Sequence, residues 1–263
     1  MTTRFASILS LFVAVGLAYN CQITMAATFY DEDVTPDFID GTDNPNGSFT
    51  VDRENGIEIG LRAKLRHDAN GDPQAIYNSN GDGTYTFMAG VAPTQSSDTA
   101  VWSFEWSINT DFEGTEDRKL EDLSYLLTLA DSTGTLAQFD PIKGPNPGES
   151  GAVFWDHAFG DNTTGNGGGV SVGAGDGASE YAALLADYNV AQNSWKPHWV
   201  IPGFDPNKLE EYTITLDALD SPGGNVLASS SITVNAVPEP GTIALAGLAG
   251  LFGTVVYLRR RWA

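Results

Sequence analysis

The sequence predicts an all-β protein, with one antiparallel β-sandwich or jelly-roll-like domain and at most one short helix. Apolar and polar residues alternate with a period of two over several segments, which is the pattern of strands with one buried face. Turns rich in glycine and asparagine separate these segments, and helical spacing occurs over a single stretch. Many short strands joined by such turns are typical of sandwiches and jelly rolls.

The longest alternating segment runs from Ile57 to His67, with apolar residues at the odd positions. Its even positions include a basic stripe, Arg62, Lys64 and Arg66, which we expect to face water and to pair with carboxylates such as Glu105, or alternatively to contact an anionic polysaccharide. Five further strands follow from the same alternation: Trp102 to Ile108, Leu123 to Leu129, Val153 to His157, Tyr212 to Leu216 and Val226 to Val234. Ser221 to Gly224 is the turn before the last strand.

Two segments depart from the strand pattern. Ser179 to Val190 places apolar residues at helical spacing and predicts the one short helix. Gly165 to Gly177 is glycine-rich, and we expect a mobile loop there.

The chain begins with the layout of a secretory signal peptide, which we assign to residues 1–27. Arg4 precedes the apolar run Phe5 to Leu17, and Thr24 to Ala26 offers small residues for signal peptidase. Residues 28–47 contain six acidic and no basic residues, and we expect an acidic irregular lead-in. The sandwich domain then takes residues 48–236 and a C-terminal tail takes residues 237–263.

The excess of acidic residues limits the kinds of molecule that the protein is expected to bind. The chain has 34 acidic and 13 basic residues, with a net charge of −21. Such a surface repels nucleic acid and anionic headgroups, which argues against nucleic-acid binding, and it favours cations. Cys21 is the only cysteine and lies within the predicted signal peptide, so we expect a mature domain stabilised by its core without disulfides.

The C-terminal tail has three parts in a fixed order. Val237, Pro238, Glu239 and Pro240 form an extended stretch, because two prolines disfavour a helix or a sheet ladder. Gly241 to Leu258 follows as 18 residues without a charge, near the lower limit for a transmembrane helix. Arg259, Arg260 and Arg261 come next, and the positive-inside rule keeps them cytoplasmic. The sandwich is therefore expected on the far side of the membrane.

This tripartite tail resembles the PEP-CTERM sorting signal of Gram-negative bacteria, whose partner is a membrane-embedded exosortase. The resemblance covers about a tenth of the chain and implies export, transient anchoring in the membrane, cleavage near Pro238-Glu239-Pro240 and release to the cell surface. It also implies a setting of exopolysaccharide and biofilm. The central region resembles exported β-sandwich proteins that share such tails, and neither resemblance assigns it an activity.

Two loops rich in Asp and Asn are candidates for calcium, the only cofactor that the sequence suggests. Asp68, Asn70 and Asp72 lie in the first loop, and Asn78, Asn80 and Asp82 in the second. Calcium prefers several oxygen ligands at alternating loop positions. The second loop departs from the EF-hand pattern, since Ala89 stands where a bidentate glutamate is needed. The alternative is two tight turns, which Asn-Gly favours.

Aromatic residues suggest a possible sugar site. Trp102, Phe104 and Trp106 share one strand face and could form a stacking platform, although such a face is more often core. Trp195 and Trp199, beside Lys196 in an expected loop, are the better candidates for exposed aromatics that bind carbohydrate. His67 and His157 are in phase with apolar residues and are expected to be buried and structural.

No nucleophile elbow or phosphate-binding loop occurs in the sequence. We therefore expect a non-enzymatic, exosortase-sorted protein of the cell surface or extracellular matrix, associated with exopolysaccharide. The alternative is a carbohydrate-binding module, assisted by calcium. A glycan-degrading enzyme is a third hypothesis, supported by fold analogy alone.

Overall fold

The computed structural model describes residues 27–41, 44–142, 157–171 and 178–239, and these form two β-sheets. The first sheet has seven strands, in the order β1-β2-β3-β6-β10-β9, with β4 also paired to β3. Its strands are β1 (Thr28–Glu32), β2 (Phe49–Glu54), β3 (Ile57–His67), β4 (Pro73–Ile76), β6 (Trp102–Asn109), β9 (Ala158–Gly160) and β10 (Val190–Trp195).

The second sheet has five strands in the order β5-β12-β11-β7-β8. They are β5 (Thr84–Met88), β7 (Ser124–Asp131), β8 (Gly134–Phe139), β11 (Glu210–Leu219) and β12 (Val226–Val237). All neighbours in both sheets are antiparallel except β5 and β12, which run parallel. The predicted all-β antiparallel class is confirmed, with this one parallel pair as an addition.

The two sheets face each other across one hydrophobic core. The ring of Trp102 in β6 lies 6.3 Å from that of Phe87 in β5 and 5.7 Å from that of Tyr212 in β11. In the second sheet, β12 buries every other side chain from Ala228 to Ala236, and the intervening side chains are partly or fully exposed. This alternation follows from the pleat of a strand with one wet face.

The first sheet is buried on both faces, so the expectation that the even positions of β3 face water is wrong. Glu58, Arg62 and Lys64 are fully buried, as are Glu105 and Asn109 on the neighbouring β6. A segment that we call the strap, comprising the described residues 33–41 and 44–48, covers this outer face. The amide of Thr35 donates to Glu58 Oε1 at 2.6 Å, and the amide of Ile39 donates to Gln192 Oε1 at 2.6 Å.

The acidic lead-in is therefore more ordered than its composition suggests. Thr28–Glu32 forms β1 against β2, and Val34, Phe38 and Ile39 of the strap are buried. These apolar residues are spaced among acids, so no periodic signal marks them in the sequence. Gly167 and Gly169, in the expected glycine-rich loop, donate to the carbonyls of Phe38 and Ile39.

The predicted helix is present as α1 (Ala178–Asp187), and Val190 belongs to β10 instead. A second helix of one turn, α2 (Pro197–Val200), exceeds the one helix expected, and a 3-10 turn spans Leu120–Asp122. Pro197 at the first turn favours α2, because proline needs no amide partner there.

The predicted strands at Ile57, Trp102, Leu123, Tyr212 and Val226 are confirmed as β3, β6, β7, β11 and β12. Of the strand expected from Val153 to His157, residues 153–156 lie outside the described residues, and β9 begins just after His157. Residues 1–26 of the predicted signal peptide and the predicted span Gly241–Leu258 also lie outside them. Among the residues that the structure describes, neither helix has the length and apolarity to cross a membrane.

Candidate functional site

The sorting segment, which is the C-terminal tail of residues 237–263, begins inside the second sheet. β12 pairs with β11 on one side and with β5 on the other, and its last residue, Val237, lies in register with Met88. The carbonyl of Val237 accepts a hydrogen bond from the amide of Ala89 at 2.8 Å. The ladder ends there because Pro238 has no amide hydrogen to donate. Glu239, the next residue, is exposed.

The C-terminus of β12 lies at one end of the sandwich, which we call the tail-exit end. In the second sheet, the register places the C-terminal end of β5 and the N-terminal end of β11 at this end. In the first sheet, the C-terminal ends of β3 and β10 lie beside the N-terminal end of β6. The ring contacts of Trp102 in β6 with Phe87 in β5 and Tyr212 in β11 bring these ends of the two sheets together. The helix α2 follows β10 directly and lies there too. The remaining sorting residues, Pro240 and Arg259 to Arg261, lie outside the described part of the chain.

The two tryptophans proposed for carbohydrate separate in the structure. Trp195 is the last residue of β10 and only 1% exposed, with its ring 5.3 Å from that of Trp106. The expectation that Trp195 is exposed is therefore wrong, because the chain extends β10 through this position. Trp199 on α2 is 42% exposed, with Lys196 Nζ 5.4 Å from its ring centre. Of these two tryptophans, only Trp199 can offer an aromatic face to a ligand.

The aromatic face of β6 is core. Trp102, Phe104 and Trp106 are all buried between the sheets. The hypothesis of a sugar-stacking platform on this strand is therefore wrong, because the second sheet covers the face.

In the first Asx-rich loop, the carboxylate of Asp68 serves the turn itself. Its Oδ1 accepts hydrogen bonds from the amides of Asn70 and Asp72, and its Oδ2 accepts one from the side chain of Gln74. These are the bonds of an Asx turn between β3 and β4.

The second Asx-rich loop is built in the same way. Asp82 Oδ1 accepts from the amide and hydroxyl of Thr84, and these bonds lower the pKa of Asp82. Asn80 donates to Thr84 and Thr86, and Asn78 donates to the carbonyl of Thr86. No cluster of three or more His, Cys, Asp or Glu side chains suited to a metal occurs among the described residues. The geometry favours turns, and calcium stays a prediction.

The histidines His67 and His157 are buried, as predicted. His157 Nε2 lies 2.8 Å from the carbonyl oxygen of Pro141, and Nδ1 lies 2.9 Å from Asn193 Nδ2. Burial lowers the pKa of His157 to about 3. The ring is therefore neutral at ordinary pH and acts as a polar link within the core.

The basic stripe pairs with Glu105, as one of the two alternatives predicted. Arg62 Nε donates to Glu105 Oε2 at 2.6 Å, and Lys64 Nζ contacts the other carboxylate oxygen. Arg62 also donates to the carbonyls of Pro45 and Gly47 in the strap. Burial alone would raise the pKa of Glu105, but the two cations outweigh it and the pKa is lowered.

Arg62 and Lys64 are thus enclosed and unavailable to a polysaccharide, while Arg66 at the end of the stripe is partly exposed. No periodic pattern in the sequence indicates this difference, because the strap that encloses Arg62 and Lys64 precedes β2 and is not part of β3. The signal that could have indicated it is the group of apolar residues Val34, Phe38 and Ile39 within the acidic lead-in.

Comparison with known proteins identifies one part of the chain. Residues 236–261 match the family model of the PEP-CTERM protein-sorting motif. No curated protein and no solved structure matches the chain. The matched range begins at the buried Ala236 near the end of β12 and includes every predicted sorting residue. The chain therefore carries a PEP-CTERM protein-sorting motif and is an exported target of an exosortase.

Proposed function

We propose that this exported protein is held briefly in the membrane by Gly241–Leu258, is cleaved near Pro238-Glu239-Pro240, and then serves as a non-enzymatic component of the cell surface or matrix, associated with exopolysaccharide. The observation that carries the proposal is the sorting motif joined directly to a folded domain at β12. A membrane-embedded protease requires an extended substrate, and the two prolines favour one.

The polar chemistry inside the domain supports a structural role. Arg62 and Lys64 share the buried carboxylate of Glu105, and His157 has a pKa far below neutrality because it is buried. Groups held in this way fix the fold, whereas acid–base catalysis needs a pKa near the working pH and access to substrate. The excess of acidic over basic residues, 34 against 13 in the whole chain, keeps such a protein soluble in an extracellular matrix.

The sorting step is tested with Glu239→Ala and with removal of Arg259 to Arg261, in the native host. Both changes are expected to leave a longer, membrane-associated form that accumulates in place of the released one. Glu211→Ala is the matched control, since Glu211 is also an exposed glutamate at the tail-exit end but lies outside the motif. Normal release of the Glu239→Ala chain, cut at the same site as wild type, would contradict the proposal.

The matrix role is tested by co-sedimentation of the released protein with the host's own exopolysaccharide. Enrichment in the polysaccharide pellet supports the role, and release of reducing sugar from the same polymer would contradict its non-enzymatic part.

Carbohydrate binding assisted by calcium is the second candidate function. It now rests on Trp199, whose exposed ring lies beside Lys196, because Trp195 is buried. A glycan array probed with and without calcium tests it, with Trp199→Ala as the variant that should lose signal. Equal signal from wild type and Trp199→Ala would exclude this site.

A further inference from the structure

The tail-exit end has an unusual surface for so acidic a chain. Nine large apolar side chains are exposed in the described residues, and four of them lie at this end. They are Met88 (47% exposed), Val91 (37%), Trp199 (42%) and Leu209 (58%). Met88 is in register with Val237, so this apolar group lies around the point where the tail leaves the domain.

The unpaired cations lie at the same end. Among the lysines and arginines that the structure describes, only Arg66 and Lys196 form no ion pair with a carboxylate. Arg66 lies at the end of β3, and Lys196 lies directly after β10. Burial lowers the pKa of Lys196, and the nearby positive charge of Arg66 lowers it further.

Acidic groups are present beside them and make this end mixed in charge. Asp98 interacts with Lys196 and His198 across the loop before β6. Lys208 is shared by Asp131, at 2.6 Å, and Glu210, at 3.0 Å, so one negative charge remains among the three, and Glu211 and Glu239 are exposed. The surface therefore suits zwitterionic phospholipid headgroups, whose phosphates Arg66 and Lys196 can contact, better than a strongly anionic surface.

The connection between β12 and the apolar stretch of the tail is short, so the tail-exit end must lie near the bilayer. Three residues separate Val237, at the end of β12, from Gly241, at the start of the apolar stretch. An extended chain spans at most about 3.6 Å per residue, so that stretch begins within about 14 Å of Val237. While the tail is attached, the tail-exit end cannot move far from the membrane surface.

From these observations we propose that the tail-exit end is a docking face for the phospholipid surface, with Met88, Leu209 and Trp199 in the interface and Arg66 and Lys196 at the phosphates. Tryptophan favours this position because its ring is apolar and its indole N–H is polar. The inference rests on the proposed anchoring by the tail, and it adds that the folded domain itself touches the lipid.

The test uses the full chain with Cys21→Ser, so that one introduced cysteine can carry a fluorescent label sensitive to lipid. Leu209→Cys is the test position, and Val226→Cys is the matched control at the opposite end of the sandwich, where it is similarly exposed at 55%. Each chain is reconstituted into phosphatidylcholine vesicles with and without brominated acyl chains.

The label at position 209 is expected to lose at least about half of its fluorescence to brominated lipid, since interfacial side chains lie near the acyl boundary. The label at position 226 is expected to be unchanged. In the Leu209→Cys chain, adding Trp199→Ala and Met88→Ser should weaken the quenching, whereas adding Val226→Ser should not.

Flotation of the vesicles separates the two proposals. A chain that floats but shows equal quenching at positions 209 and 226 overturns the docking face and leaves anchoring intact. A chain that fails to float overturns both. A further experiment measures quenching of the label at position 209 by aqueous iodide. If the label is protected only in native membranes that contain the processing enzyme, and never in pure lipid, the face binds that protein. This result would overturn the lipid assignment.

Discussion

Glu105 lies fully buried between two cations, and its neighbours depend on it. Arg62 and Lys64 have no exposed atoms through which water could compensate their charge. A buried ion pair adds little over an apolar pair of the same shape, but removing one partner leaves an uncompensated charge. The three side chains therefore stabilise the fold only as a set.

Glu105→Gln is expected to lower the free energy of unfolding by about 3–5 kcal/mol, because it leaves a buried cationic charge unbalanced. Urea denaturation measures the change. Glu211→Gln makes the same replacement on an exposed glutamate and should shift the free energy by less than about 0.5 kcal/mol. Equal effects of the two variants would show that the buried cluster is not electrostatically coupled.

His157 predicts a pH dependence of stability. Its pKa is lowered from 6.5 to about 3 by burial, so the unfolded chain binds a proton below pH 6.5 that the folded chain does not. The free energy of unfolding should therefore fall as pH falls from 6.5 towards 3, by at most about 1.4 kcal/mol per pH unit from this group. His157→Gln keeps a hydrogen-bonding side chain without a proton to gain, and its stability profile should be flatter over this window. Parallel profiles for wild type and variant would contradict the assignment.

At the scale of the element, the strap determines which faces of the first sheet are buried. The sequence predicted β3 with the same bounds as the structure, because alternation over Ile57–His67 is a local signal. It could not predict that Arg62 is enclosed, because the enclosing contacts come from the strap, through the carbonyls of Pro45 and Gly47, and not from β3 itself. β10 was missed for a related reason: Gln192, Asn193 and Ser194 face polar or strap residues, so no apolar period marks the strand.

The strap also explains Gly60 in the middle of β3. A Cβ at Gly60 would lie 2.7 Å from Val34 Cγ1 and 3.2 Å from the ring of Phe49. Gly60→Ala should therefore displace the strap and cost about 1–3 kcal/mol, as overpacking does. Gly165→Ala is the control, because nothing lies within 4 Å of its Cβ position. Hydrogen exchange should show the amides of Thr35 and Ile39 losing protection in Gly60→Ala, and unchanged protection in both would argue against the strap's role.

The sorting segment shows what sequence alone can give at this scale. Pro238, Glu239 and the three terminal arginines were recognisable as a motif because order and spacing define it. The surface of the tail-exit end was not recognisable from the sequence, because Met88, Trp199 and Leu209 are separated along the chain. They lie at the same end only when the two sheets pack.

For the whole molecule, charge is the dominant property. A net charge of −21 destabilises the compact state through repulsion among the surface carboxylates, and salt screens that repulsion. Raising sodium chloride from about 0.01 M to about 0.5 M should therefore raise the melting temperature, because the Debye length falls from about 30 Å to a few ångströms. The buried Arg62–Glu105 pair is screened far less, so the gain should persist in Glu105→Gln. A melting temperature that falls with salt would show that exposed ion pairs outweigh the repulsion.

The position of β12 has a mechanical consequence. The strand pairs with β11 from Val226 to Ala236 and with β5 over its last five residues, Thr233 to Val237, and the tail continues from its end. A force on the tail therefore acts along β12 and shears its pairing with both neighbours. Many backbone hydrogen bonds share this force, so they cannot break one at a time. The domain should therefore stay folded while the tail is held in the membrane. Cleavage of the tail then separates the domain from the membrane more easily than unfolding would.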